Sequence, residues 1–473
     1  MPPKFGTSGL RGLVTDLSDE LCAAYTRAFL LACGRPAAVV IGRDLRPSSP
    51  RISAAVAAGA ASLGVRVIDC GAVPTPALAL AAFARHAPSV MVTGSHIPAD
   101  RNGLKFYTAL GEITKTDEAE ITRRAALETA IPLAPAVMET DTTAGERYVD
   151  RYLGAFAPGA LSGLHIGVYE HSAVIRDLLG AVLTRLGARI TPLARSATFI
   201  PVDTEAVDPA TRAALRTWAS LHRLDAIVSA DGDSDRPLVT DERGEVVPGD
   251  ILGTLTAMFV GADTVATPVT SNSMVELSGA FAQVIRTRIG SPFVIAAMEE
   301  AARIPSRPPS RTPSRVVGFE PNGGFLLGFD AVLADRPLPR LLTRDSLLPI
   351  LGALTLARQR RLSLCALVAT LPARRTASDR LENVATEPAL AFVGTLSASD
   401  TARAGFFAGF GAEQTVDRTD GLRVTFADGL TLHLRPSGNA PELRCYAEAE
   451  TTAKAEAALA ELLARARRQG LCA

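Results

Sequence analysis

The segment Val90-Met91-Val92-Thr93-Gly94-Ser95-His96-Ile97-Pro98 carries an apolar, mostly β-branched run directly into one hydroxyl and one imidazole. Gly94 and Pro98 bracket that pair and end the strand. With no Cβ at Gly94, the turn can be tight enough to push Ser95 out at the strand's carboxyl end, the edge where open α/β sheets take their ligands. Lys105 closes the stretch Asp100-Arg101-Asn102-Gly103-Leu104-Lys105 that follows. Ser95 is the candidate nucleophile and covalent phosphate carrier, although the stretch taken alone is equally an ordinary strand-to-loop turn with a solvated Ser and His.

A second chemical cluster follows the strand Leu224 to Ala230, which delivers Asp231-Gly232-Asp233-Ser234-Asp235-Arg236-Pro237. Alternating carboxylates separated by small residues can turn three oxygens toward one point. Anions so close repel unless a cation sits among them, which implies a hard divalent ion. An EF-hand loop, in which Glu242 would fall at the twelfth position, is excluded: Arg236 takes the sixth position, where that loop needs Gly, and Pro237 follows. In Val317-Gly318-Phe319-Glu320-Pro321-Asn322-Gly323-Gly324-Phe325 a carboxylate and an amide share a Gly-rich turn, a pair able to accept from and donate to vicinal sugar hydroxyls. Leu434-Arg435-Pro436-Ser437-Gly438-Asn439-Ala440-Pro441 follows a strand with an Arg, a hydroxyl, an amide and free backbone N–H groups, which suits a phosphate dianion. Near the start, Phe5-Gly6-Thr7-Ser8-Gly9-Leu10-Arg11-Gly12 sets hydroxyls and an Arg among three glycines, a second candidate anion cradle.

These loops need strands to end on, and the chain supplies them in a repeated βαβ pattern. Strand Ala37–Ile41, helix Ser53–Leu63 and strand Val65–Asp69 form the first unit, and Pro74-Thr75-Pro76 starts a helix leading to the Ser95 strand. After an acidic, Ala-rich region from Asp117 to Thr143, the same grammar returns with strand His165–Tyr169, helix Ala173–Leu186 and strand Ala188–Ile190. It returns again with strand Thr264–Val269, helix Met274–Val284 and strand Ile285–Ile289. Leu-Gly-Val-Arg-Val at 63–67 is echoed by Leu-Gly-Ala-Arg-Ile at 186–190. Such spacing points to three related α/β domains rather than a short-period solenoid. Past residue 368 the pattern changes: Leu422–Phe426 and Leu430–Leu434 flank Ala427-Asp428-Gly429 as a hairpin, and Ala453–Arg468 reads as an amphipathic helix. The basic, Pro-rich segment Arg303 to Arg315 fits neither helix nor central strand and reads as an exposed insertion.

The totals exclude other classes. At 473 residues the chain is too long for one core. With 49 Lys and Arg against 49 Asp and Glu, no general nucleic-acid or membrane surface is indicated. Aromatics at 5% disfavour a base-stacking platform. The six cysteines show no CxxC pair and read as reduced thiols. With no signal-peptide core at the N-terminus and no bilayer-length apolar run, the expectation is a cytoplasmic protein.

Taken together, the motifs resemble the α-D-phosphohexomutase superfamily along essentially the whole chain. The carrying residues are Phe5 to Gly12, Thr93 to Pro98 with Lys105, Asp231 to Arg236, Glu320 to Gly324, and Arg435 to Pro441. The resemblance implies an α/β fold of three related mixed α/β domains plus a smaller C-terminal α+β domain around a central cleft. The expected boundaries are 1–141, 142–246, 247–368 and 369–473, each domain bringing one loop. It further implies a phosphorylated Ser95 and Mg²⁺ bound by Asp231, Asp233, Asp235 and the Ser95 oxygen or its phosphate. Glu320 and Asn322 would read the sugar. Arg435, Ser437, Gly438 and Asn439 would hold the phosphate that is not reacting. Arg11, Lys105 and Arg236 would stabilise the transferring group.

The activity implied is interconversion of mannose 6-phosphate and mannose 1-phosphate by an intramolecular phosphotransferase, through a phosphoserine and a hexose 1,6-bisphosphate. Glucose phosphates, or sugar-phosphate binding without catalysis, are the alternatives. The enzyme would be a monomer or homodimer. Two departures stand out. Asn322 and Gly324 replace the Ser and His of the motif Gly-Glu-x-Ser-Gly-His, so the general base stays open, Lys105 first and His96 second. Asn439-Ala440-Pro441 replaces the commoner Thr-Glu-Pro. Both are similar to a bacterial subgroup acting on mannose phosphates.

Overall fold

The computed structural model describes residues 3–6, 9–129, 132–303, 314–438 and 441–471. Thr7, Ser8, Asn439, Ala440 and the insertion's residues 304–313 lie outside them. The chain forms two compact units, one of Met1–Val265 with Gly290–Val368, the other of Ala266–Ile289 with Ala369–Ala473.

In the first unit the N-terminal sheet orders its strands Lys4–Gly6, Gly9–Leu13, Arg101–Thr108, Ser89–Val92, Ala38–Arg43, Arg66–Ala72 and Met138–Thr140. The three central strands Ser89–Val92, Ala38–Arg43 and Arg66–Ala72 run parallel, with helices Ser49–Ser62 and Thr75–Phe83 as crossovers, whereas Arg101–Thr108 is antiparallel to Ser89–Val92. Ser89–Val92 is buried along its whole length, which is why it reads as a continuous apolar run rather than an alternating one. A second sheet orders Arg189–Arg195, His165–His171, Ala226–Ala230 and Pro237–Thr240; the first three are parallel and the last folds back antiparallel. The acid loop is thus the connection of a hairpin. Further on, Val316–Phe319, Phe325–Leu327 and Leu341–Asp345 pair antiparallel, with helices Gly249–Val260 and Leu347–Arg360 packed on each other nearby in the chain.

The echo between 63–67 and 186–190 has a structural content. Each Leu ends a helix, each Gly turns at positive φ (+70° at Gly64, +96° at Gly187), and the next amide reaches back to close the helix end, Val65 to Ala60 and Ala188 to Leu183. In the second unit, Arg375–Glu382, Glu442–Ala449, Thr431–Pro436, Leu422–Phe426 and Glu413–Asp417 form an antiparallel sheet. Helices Thr386–Ala398 and Thr452–Arg467 share its core around Val424, Leu432 and Leu443. The Asp428-Gly429 hairpin forms as expected.

One element differs. The helix expected over Met274–Val284 is a single turn, Met274–Leu277, and the following strand is Gln283–Thr287 rather than Ile285–Ile289. Gly279 at φ +63° stops the helix, so the apolar residues past it extend instead. Among the described residues no helix is long and apolar enough to cross a membrane.

Candidate active site

Ser95 sits at the end of its buried strand in the left-handed region, φ +53°, a conformation costly for a residue with a Cβ. The loop is held in that shape from within. Thr93 Oγ1 accepts from the Ser95 amide at 2.7 Å and donates to Asp44 Oδ2 at 2.7 Å. Asp44 also accepts from Ser49 Oγ and from the amide and Nε of Arg46. Arg46 in turn donates to the carbonyls of Ser95, Ile97, Pro98 and Arg101 at 2.6–2.9 Å. Its guanidinium lies directly over the backbone at 94: a Cβ on Gly94 would stand 2.5 Å from Arg46 Cζ. That close approach, rather than backbone freedom alone, is what glycine supplies here.

The strained turn aims Ser95 Oγ at the acid loop, where it donates to Asp231 Oδ2 at 2.6 Å. Carboxylate oxygens of Asp231, Asp233 and Asp235 lie within 4.8 Å of one another, and all three residues are buried. Lys105 Nζ reaches Asp233 at 2.5 Å and Asp235 at 2.7 Å, and Thr75 Oγ1 donates to Asp233 at 2.5 Å. Burial and the two neighbouring carboxylates raise the Asp231 carboxyl to about 8. Burial opposes ionisation of Asp235 as well, but Arg344, Lys105 and Arg236 hold it below the usual carboxylate range. Asp233 Oδ1 and Asp235 Oδ1 are buried with no hydrogen-bond partner among the described residues. Hard oxygen donors, clustered and partly unsatisfied, fit a hard divalent cation.

His96 Nδ1 is 2.8 Å from Arg236 Nη1 and 3.4 Å from Ser95 Oγ. Burial, then Arg236, pushes the imidazole down to about 2, so it is neutral, and Nδ1 accepts from the guanidinium. Arg11 lies on the strand Gly9–Leu13, opposite Gly103 on the strand that carries Lys105. Burial and the facing Arg236 push it down to about 10.

The expected sugar loop, Glu320 to Gly324, is the turn between Val316–Phe319 and Phe325–Leu327. Glu320 is buried, and its amide donates to the Gly324 carbonyl at 3.2 Å. Asn322 Oδ1 accepts from the Gly324 amide at 2.9 Å, so that oxygen is engaged in shaping the turn. Arg344 Nη1 stands 3.6 Å from Glu320 and Nη2 3.0 Å from Asp235. Ser95, His96, Lys105, Arg11, the three aspartates, Arg236, Glu320 and Asn322 all belong to the first unit.

In the second unit Arg435 Nε lies 3.0 Å from Asp420, the Ser437 amide donates to Glu442 O at 2.9 Å, and among the described residues no atom stands within 4 Å of where a Cβ on Gly438 would lie. Asn439 lies outside the described residues.

Sequence reasoning missed Asp44, Arg46, Thr75 and Arg344. Each stands at a strand end or a strand-to-helix junction: Asp44 and Arg46 after Ala38–Arg43, Thr75 between two prolines, Arg344 in Thr343-Arg344-Asp345-Ser346 between apolar runs. Charged or hydroxylic residues at that edge were the available signal.

The chain matches the family models described as phosphoglucomutase/phosphomannomutase, alpha/beta/alpha domain I over residues 2–131, alpha/beta/alpha domain III over 248–374, and C-terminal domain over 381–466. It is 46% identical over 475 residues to a phosphomannomutase of Sinorhizobium fredii, covering 98% of each chain. Identity to a phosphomannomutase of Salmonella muenchen is 43% over 452 residues, covering 94% of this chain and 92% of that one. The crystal structure of a phosphoglucomutase/phosphomannomutase family protein from Burkholderia thailandensis superposes with a TM-score of 0.77 at 22% identity, covering 98% of this chain and 95% of that one, a likeness of fold. The fold is that of a phosphohexomutase. The chain belongs to the phosphoglucomutase/phosphomannomutase family of the α-D-phosphohexomutase superfamily.

Proposed function

We propose that the chain is a Mg²⁺-dependent phosphomannomutase interconverting mannose 6-phosphate and mannose 1-phosphate. The observation that carries this is Ser95 Oγ, presented on a strained turn and hydrogen-bonded at 2.6 Å to the first acid of a buried three-carboxylate loop. Phosphoryl transfer asks for an in-line oxygen, neutralised charge and fixed positions more than for strong acid–base chemistry. A Mg²⁺ held by Asp231, Asp233, Asp235 and the Ser95 oxygen or its phosphate would supply charge neutralisation at the transferring group.

The chain's own residues do the rest. Ser95 carries the phosphoryl group; its P–Oγ bond breaks as a P–O bond forms to the sugar hydroxyl at C1 or C6. The hydroxyl proton passes to a base, which we assign to Lys105 as its free amine, because His96 Nδ1 already accepts from Arg236; the ammonium that Asp233 and Asp235 hold must first release a proton. The hexose 1,6-bisphosphate turns round, and its other phosphate passes to Ser95 Oγ: that P–O bond to the sugar breaks as the P–Oγ bond forms, and Lys105 gives its proton to the sugar oxygen. Arg11 and Arg236 stabilise the transferring charge, joined by Lys105 once it has taken the proton, while Glu320 and Asn322 read the sugar hydroxyls. Arg435, Ser437, Gly438 and Asn439 hold the phosphate that is not reacting. The four-domain division at 141, 246 and 368, a monomeric or dimeric state and a cytoplasmic location belong to the same reading.

Intact-mass analysis tests the carrier. Wild type incubated with hexose 1,6-bisphosphate should gain one phosphoryl group, mapped to Ser95, and Ser95→Ala should gain none. A coupled assay should then favour mannose 1-phosphate over glucose 1-phosphate. Equal rates would overturn the substrate assignment, and an unmodified Ser95 would overturn the mechanism.

A further inference from the structure

Arg344 has no task in the reaction above, yet it is 1% exposed and sits among acids from three segments. Nη2 is 3.0 Å from Asp235 in the acid loop, Nη1 is 3.6 Å from Glu320 in the sugar loop, and Nε is 3.6 Å from Glu112. Among the described residues, Nε and Nη2 find no partner at hydrogen-bonding geometry, and neither do the facing oxygens Glu112 Oε1 and Glu320 Oε2. The guanidinium therefore acts on these acids as a desolvated charge rather than as a set of directed donors, and charge acts over longer range in such surroundings.

The backbone beneath it is fixed. Asp345 accepts from the hydroxyls of Tyr148 and Tyr152 and from the Leu347 amide, and Ser346 Oγ donates at 2.7 Å to the carbonyl of Ser234 inside the acid loop. Gly324 provides the passage: a Cβ there would stand 2.8 Å from Arg344 Cδ and 3.0 Å from Cγ. The strand end at 344–346 is thus tied to the acid loop by one hydrogen bond and one ion pair, and its guanidinium reaches the sugar loop across a glycine.

We propose that Arg344 is a positioning residue that couples the sugar loop to the acid loop, neutralising Asp235 and Glu320 together, with Gly324 as the steric condition for its placement. This rests on the mutase reading of Glu320 and the aspartates. A cation beside Asp235 weakens the loop's hold on a divalent ion while fixing where the sugar's hydroxyls stand relative to Ser95. Its loss should therefore move catalysis and metal affinity in opposite directions, which a loss of structure alone would not do.

The test uses the full chain as wild type, Arg344→Ala, Arg344→Lys, Gly324→Ala and Gly324→Ala/Arg344→Ala, with steady-state kinetics on mannose 1-phosphate and calorimetric titration of Mn²⁺ into chelator-stripped protein. Arg344→Ala should lower kcat by about 100-fold with KM changed by about threefold at most. It should also bind Mn²⁺ about tenfold more tightly. Arg344→Lys should recover part of kcat, because the charge returns without the fork. Gly324→Ala should lower kcat by about tenfold where Arg344 is present and have a clearly smaller effect in the Arg344→Ala background, where only Asn322 Oδ1, 3.2 Å from the new Cβ, is left to meet it. Unchanged kcat in Arg344→Ala, weaker Mn²⁺ binding, or an equal Gly324→Ala effect in both backgrounds would overturn the proposal. If Arg344→Ala fails to fold, Arg344→Lys must bind Mn²⁺ no more tightly than wild type and Gly324→Ala must lower kcat, or the proposal fails. A wild type that does not turn over overturns the mutase reading alone; the Mn²⁺ shift still decides the coupling.

Discussion

Replacing Arg46 by Met keeps the length of the side chain and removes the guanidinium that shapes the Ser95 turn. All five N–H donors of Arg46 are used: Nε on Asp44, Nη1 on Pro98 and Arg101, Nη2 on Ser95 and Ile97. The side chains of Arg46 and Asp44 are both 0% exposed, so the variant leaves a buried carboxylate without its countercharge and takes the guanidinium from four carbonyls, of which that of Pro98 keeps the Arg101 amide at 3.2 Å. An unmet buried acceptor costs about 1–3 kcal/mol, and removing one partner of a buried ion pair about 3–5 kcal/mol. These costs overlap, because relaxation that rescues one rescues the others, so about 4 kcal/mol in total is expected. Trp218, the single tryptophan, lies in the same unit with its ring 5.3 Å from that of Tyr169, so its fluorescence reports urea unfolding of this unit. Arg46→Met should lose about 4 kcal/mol and, with Ser95 displaced, at least about 100-fold in kcat. Adding Asp44→Asn removes the stranded charge, so the double variant should regain about 1–2 kcal/mol over Arg46→Met. Arg46→Lys should fall between Met and wild type. Arg46→Met within about 1 kcal/mol of wild type would refute the account, as would a double variant whose cost is the sum of the singles.

Gly94→Ala sets a methyl 2.5 Å from Arg46 Cζ, so it should cost about 1–3 kcal/mol and depress turnover although no functional group is lost; normal unfolding and kinetics would show that the loop can yield. Asp233→Asn should reduce kcat far more than it raises KM, and a near-normal rate would exclude Asp233 from metal binding. Chelation should likewise abolish turnover while the Trp218 signal stays native, with activity returning on adding Mg²⁺. Burial pushes His433 and His171 down to about 4, in His433 with help from Arg423, and each Nε2 donates to a carbonyl, of Asp420 and Ala230 respectively. Between pH 6.5 and 4 the unfolded chain binds protons at these sites that the folded chain refuses, so stability is whole above that window and falls with pH through it, by up to about 3 kcal/mol per histidine. Urea midpoints measured from pH 7.5 to 5 should fall less steeply in His433→Gln; parallel profiles would exclude His433 as a source of the slope.

What the sequence made legible is what is written locally. The buried Ser89–Val92 strand and its Gly-Ser-His turn, the Asp-x-Asp-x-Asp hairpin, the Asp428-Gly429 turn and the repeated Leu-Gly helix end each fit in a window of about ten residues. The misread helix at Met274 was a competition inside such a window, and a left-handed Gly279 won it. The support of the site is not written that way. Arg46 bonds carbonyls 49 to 55 positions away, and Arg344 gathers acids at 112, 235 and 320. A pattern can show a charge stranded between apolar runs, as at 344; it cannot say which charge will meet it.

The two arginines also divide the energetics of the site. Arg46 is saturated: every donor has an acceptor, and the result is rigidity in the turn that presents Ser95. Around the acid loop the opposite holds. Of fifteen buried side-chain polar atoms without a hydrogen bond among the described residues, seven belong to Glu112, Asp233, Asp235, Arg236, Glu320 and Arg344. Buried charges left imperfectly matched oppose folding, and apolar replacements of similar volume are often neutral or stabilising. Stability therefore does not explain why they gather in one place. The chemistry proposed for Ser95 does, because a phosphate dianion and a divalent cation bring the charges of both signs that these unmatched atoms can meet.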